Sequence, residues 1–246
     1  MKTKHLPHHL AYIALAACGD AGLDGTTGGL GASSADGAEA GVAAPSAERC
    51  RVLERDCSTL CSGSFQNTEC RGTLFGRFDN VTVPPGASCD LSDAILTGNL
   101  LVEEGARARL GPSVFVCGDV QGDEADAVEI DGARVCDNLQ GSKTSRLDVR
   151  ATEVLKNLQA QQSGDVTLGG TLICADVDLF ENRSVSAPAG AAVVVEQNCS
   201  AGENGRADLA GVRVRGDDEG CVGPASGGSG GGGGSGGGGS GGGGSG

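Results

Sequence analysis

The chain has 246 residues, 45 of them glycine, and its 18 basic and 32 acidic side chains leave a formal net charge of −14. So acidic a surface repels nucleic-acid phosphates and anionic lipid headgroups, which argues against both as partners. There is no Trp, and His5, His8, His9 and Tyr12 all fall in the N-terminal segment; beyond it no His-based triad, imidazole metal site or His general base can be built.

In chain order, residues 1–17 join Lys2 and Lys4 to the apolar run Leu10-Ala11-Tyr12-Ile13-Ala14-Leu15-Ala16-Ala17. A basic start, a short apolar run and small residues predict an export signal, and the run is too short to span a bilayer as a helix. It ends in Leu15-Ala16-Ala17-Cys18, which resembles the bacterial lipobox. That resemblance implies cleavage before Cys18, lipid on its thiol and a membrane-attached, extracytoplasmic protein. With Gly19 rather than Asp after the Cys, it points to an outer membrane where the cell has one. Residues 18–47 are Gly, Ala, Ser, Thr and Asp with almost no large apolar side chain. Such a segment cannot offset its ordering entropy and is expected to be a flexible tether.

Residues 48–69 are expected to form a short Cys-rich cap over the open end of the following domain. Ser46 is a candidate N-cap, with Glu48 near the start and Val52, Leu53 and Leu60 offering a partial apolar face.

Residues 70–223 repeat. Asn99-Leu100, Asp119-Val120, Asn138-Leu139, Asn157-Leu158 and Asp176-Val177 recur in steps of 19 or 20 residues. So do Leu91, Leu110, Ile130, Val149 and Leu168; Leu96, Val116, Val135, Val154 and Ile173; and Cys89, Ala108, Val128, Leu147 and Val166. A fixed period means units that bury their apolar faces only against their neighbours. Within a unit the apolar residues alternate, as in Val128-Glu129-Ile130-Asp131, a strand period. Short strands separated by Gly, Asp and Asn turns predict an all-β parallel β-helix of about seven coils. A leucine-rich repeat places its apolar residue two positions after the Asn, and here it comes one position after. The Asn/Asp column is expected to be a turn ladder; the calcium-binding nonapeptide is absent. Residues 224–246 are Gly and Ser only, apart from Ala225 and Pro224 at the start, and carry no fold information.

Setting Cys18 aside, ten of the 11 cysteines remain, an even number in a chain expected to be exported, which predicts a disulfide framework. Cys70 and Cys89 are one coil apart, as are Cys117 and Cys136. Neighbouring rungs stand roughly 4.8 Å apart, within disulfide reach, so both pairs are predicted, with Cys199–Cys221 closing the last coil. Cys174 is two rungs from Cys136, too far to bond it, and Cys50, Cys57 and Cys61 stay unassigned. Their spacing does not suit a zinc site, and no cofactor is expected.

Cys70-Arg71-Gly72-Thr73, Phe78-Asp79-Asn80-Val81-Thr82-Val83-Pro84-Pro85-Gly86-Ala87-Ser88-Cys89 and Gly98-Asn99-Leu100 resemble small secreted bacterial proteins whose Gly-Asn-Val/Leu coils stack into a right-handed β-helix. The resemblance supports fold more than function. Two functions are carried forward. The first is a non-catalytic, lipid-anchored envelope protein acting as a structural or interaction module toward an unidentified envelope or extracellular partner. The alternative is a polysaccharide-active enzyme using carboxylates, with Asp119, Asp137 and Asp176 as candidates on one side of the solenoid.

Overall fold

The alternation of aliphatic and polar residues builds a three-sided parallel β-solenoid. The structure, a computed structural model, describes residues 43–222, with side chains from Ser46 onward; Cys18, the export signal, most of the tether and the Gly/Ser tail lie outside the described residues.

The first face is a sheet of nine parallel strands running from Thr68–Glu69 to Asp218–Glu219, eight turns of chain where about seven were expected. The second and third faces begin as one sheet and divide at the long strand Ser88–Leu96. Its first half pairs with Arg107–Leu110 and its last two residues with Phe115–Val116. One coil shows the plan: Val120–Asp123 on the first face, Ala127–Asp131 on the second, Arg134–Val135 on the third. The observed register matches the repeat. Leu139 pairs with Val120 and Leu158, Ile130 with Leu110 and Val149, and Val135 with Val116 and Val154.

These columns are the core: Val120, Leu139, Val128, Leu147 and Leu158 are fully buried. Burying a side chain of this size contributes about 1.5–3 kcal/mol relative to leaving it exposed. Polar residues that point inward at the bend after the first face are satisfied by backbone. Thr144 donates to the Gly122 carbonyl, Ser163 to that of Gly141, and Asn182 to that of Ala160. Each is one coil and a bend away, so these bonds tie rungs together and offset the cost of burying the polar groups.

The same bend needs a left-handed residue in every coil. Gly86 and Gly105 supply it at first, and then Glu124, Lys143, Gln162 and Glu181 take φ between 50° and 55°. Left-handed backbone is unfavourable for residues with a Cβ. Here the N–H of each bonds a carbonyl of the next coil, such as Glu124 to Ser142 and Lys143 to Gln161. Lys143 Nζ also lies 3.0 Å from Glu124 Oε1, and that carboxylate raises the Lys143 pKa above its ordinary value.

The expected N-terminal Cys-rich segment is present, and its disulfides join it to three coils. Its helix runs Ala43–Leu60, so Ser46 is inside it and buried rather than at its N-cap. Pro45 is tolerated because the first turn has no intrahelical N–H bond to lose. The helix does not close the end of the solenoid; it is bonded along the flank of the third face. Cys50, Leu53, Cys57 and Leu60 fall on one helical stripe. Leu53 and Cys57 join Phe115 and Cys136 in a second buried cluster, with Ile95, Cys117, Leu155 and Cys174 packed against it.

Candidate functional site

Three features of this scaffold bear on function. The first is the Asn/Asp column where the third face turns into the first. Each side-chain oxygen accepts the backbone N–H of the next rung. The chain of bonds runs Asn99 to Asn80, Asp119 to Asn99, Asn138 to Asp119, Asn157 to Asn138, Asp176 to Asn157, Asn198 to Asp176 and Asp217 to Asn198, at 2.8–3.3 Å. The structure brings Asp119 and Asp137 to one amide, with Asn138 Nδ2 donating to Oδ1 of each at 2.9 and 3.0 Å, but it does not bring Asp176 to them. Asp119 and Asp176 are three rungs apart, roughly 14 Å, and each spends an oxygen on the ladder. Asp137 lies beside the ladder, where it accepts from Asn138 Nδ2 at 3.0 Å and faces Lys156 at 3.8 Å. Asp119 and Asp176 thus serve as rungs of the turn ladder.

The second feature is the sulfur set. Cys70 is bonded to Cys89 and Cys199 to Cys221. The expected Cys117–Cys136 bond is not formed. Both residues bond the helix instead, as Cys61–Cys117 and Cys57–Cys136, and Cys50 takes Cys174. The reason is a match of two repeats. Four helical residues rise about 6 Å and seven rise about 10.5 Å, while one rung is about 4.8 Å and two are about 9.6 Å. Cys57 and Cys61 therefore face consecutive rungs at Cys136 and Cys117. Cys50 faces Cys174 two rungs further on, with Leu155 in the rung between. The Sγ atoms of Cys61, Cys117 and Cys136 lie within 4.8 Å of one another, but every one is in a disulfide, so none is a thiolate ligand for a metal.

The third feature was not singled out from the sequence: a groove of about 450 Å³ on the second face. Ala127 pairs with Arg107, and Arg146 continues the same outward column on the other side. A methyl group between two long side chains leaves a gap walled by guanidiniums. Arg107 pairs with Asp126 and Arg146 with Glu129. In the next outward column Arg109 stands between Asp90 and Glu129 in register. The signal was present in the strand Arg107–Leu110, whose outward residues are both arginine, but only the register shows what flanks them.

No family model, curated protein or solved structure matches the chain.

Function therefore rests on this chain's own residues. The groove is lined by three guanidiniums and by the carboxylates of Asp90, Asp126 and Glu129. On a chain of net charge −14 it is a charge-balanced patch, where an anionic ligand meets less repulsion than elsewhere. Its volume falls in the usual range for small-molecule sites, and its lining residues come from four successive rungs.

Proposed function

We propose that this protein is a lipid-anchored envelope protein, held outside the cytoplasm through Cys18 and acting as a rigid, non-catalytic interaction module. Its binding face is the groove over Ala127. Five disulfides suit a chain that folds in an oxidising compartment, and no helix among the described residues is long and apolar enough to cross a membrane.

The observation that carries the reading is the covalent seam between helix and solenoid. The chain enters the described structure through a helix bolted at Cys50, Cys57 and Cys61 to three different coils. A pull transmitted from an anchor upstream of Ala43 would be taken by covalent bonds rather than by peeling strands. That property serves a tethered module more than a freely diffusing enzyme.

The test is expression in a bacterium with an intact lipoprotein pathway, with palmitate labelling and membrane fractionation. Wild type is expected to label and fractionate with membranes, and Cys18→Ala to lose both. A Cys18→Ala protein that still carries palmitate would falsify the anchor.

A carboxylate enzyme is the second reading, now on Asp90, Asp126 and Glu129 of the groove rather than on Asp119, Asp137 and Asp176, none of which lines it. Purified protein incubated with acidic and neutral polysaccharides is expected to bind without releasing reducing ends or unsaturated products. Turnover that disappears in Glu129→Gln would replace the module with the enzyme.

A further inference from the structure

Cys57–Cys136 and Cys61–Cys117 sit side by side on the flank of the third face. Cys61 Sγ is 3.8 Å from Cys136 Sγ, a sulfur to which it is not bonded. The two disulfides differ in access: Cys57 and Cys136 are buried, whereas Cys61 and Cys117 are half-exposed. Exchange proceeds when a thiolate reaches a disulfide sulfur, and its rate depends on access and on the thiolate fraction. Of these two, an external thiol therefore meets Cys61–Cys117 first; Cys50–Cys174, further along the seam, is half-exposed as well. Once freed, the Cys61 thiolate is already against the next disulfide.

We propose that Cys57, Cys61, Cys117 and Cys136 form a thiol–disulfide exchange site whose co-substrate is an external dithiol. One sulfur of the dithiol attacks Cys117 Sγ, and Cys61 leaves as the thiolate. The second sulfur of the dithiol resolves the mixed disulfide, so the dithiol is oxidised to its disulfide and Cys117 is released as a thiol. Two electrons have then passed to the protein. The Cys61 thiolate next attacks Cys136 Sγ, forming Cys61–Cys136 and breaking Cys57–Cys136. Cys57 leaves as a thiolate and takes a proton from water. This second step is redox-neutral, and it moves the reduced position from a half-exposed sulfur to one in the buried cluster around Leu53. The helix stays attached throughout by Cys50–Cys174.

Two experiments test the site. In the first, full-length Cys117→Ser is prepared without reductant, so that Cys61 begins unpaired. It is held at pH 8, alkylated with N-ethylmaleimide and digested without reduction, and fragmentation of the peptide from Asp56 to Arg71 places the label. Label dividing between Cys57 and Cys61 is expected; label on Cys61 alone at every time point overturns the proposal. In the second, wild-type protein receives one equivalent of dithiothreitol and the same quench. Label on Cys57 and Cys117, with a Cys61–Cys136 cross-linked peptide, is expected. Label confined to Cys61 and Cys117 with Cys57–Cys136 intact, or appearing first on any other disulfide, overturns it. This arm uses no substitution, so it decides the matter even where the variant misfolds.

Discussion

Arg49 on the helix and Glu153 on the third face are 104 residues apart, and their Nη2 and Oε1 atoms lie 2.7 Å from one another. Glu153 also takes Arg134 Nε at 3.2 Å through its other oxygen, and Arg134 reaches back to Asp56 of the helix at 2.9 Å. The Glu153 side chain is only 16 % exposed. It is therefore the hub of a four-residue charge network running beside the disulfide seam.

A double-mutant cycle on this hub, with Arg49→Ala and Glu153→Ala measured by urea unfolding of the disulfide-intact protein, is expected to give a coupling of about 0.5–1 kcal/mol. A result additive to within about 0.3 kcal/mol would mean that the Arg49–Glu153 pair contributes nothing to holding the helix.

Removing Cys50–Cys174 with a paired Ala substitution opens a loop of roughly 45 residues while Cys57–Cys136 persists, a loss of about 3–4 kcal/mol in the chain-entropy picture. The same change should raise hydrogen exchange in the first turns of the helix and leave the solenoid strands protected. Uniform deprotection of the strands would show instead that the helix is needed for the coils to close.

The Asn ladder requires a glycine before it where rungs approach closely. A Cβ on Gly118 would overlap Asn99 Oδ1 and lie 2.8 Å from the Gly98 carbonyl oxygen. Gly118→Ala is expected to lower stability by about 1–3 kcal/mol. Gly169→Ala is the control: its Cβ would meet nothing nearer than Arg150 Cγ at 3.9 Å, and its effect should stay within about 0.5 kcal/mol. Equal losses in the two variants would refute the ladder argument.

Asp165 carries a pH signature. Hydrogen bonds from Arg183 and then from the Ser184 hydroxyl hold its carboxyl below the ordinary aspartate value. A depressed folded-state pKa contributes stability that is present above the unfolded value and is lost as pH falls through the folded one. Carboxyl NMR should place the Asp165 midpoint below that of a model aspartate, and Arg183→Ala should move it upward. An unchanged midpoint in that variant would remove Arg183 as the cause.

The period and the inward columns were legible in the sequence because both are local or repeat-bound. Side chains alternate every two residues along a strand, and a unit that buries its face only on its neighbours must place Ile130 over Leu110 and under Val149. One-coil spacing also identified Cys70 and Cys89 as neighbours, and nothing competes with that pair, since both point inward and are buried. The identical spacing of Cys117 and Cys136 gave a different outcome because those side chains lie on the flank, where another element can reach them. Which element does so depended on the helix lying along the coils rather than over their end. That choice is made by the fit between helical rise and rung spacing and by the burial of Leu53 against the third face, and these are tertiary facts. The groove is of the same kind. Sequence shows Arg107, Ala127 and Arg146 as unremarkable surface residues, and only the coil register sets the small one between the two large ones.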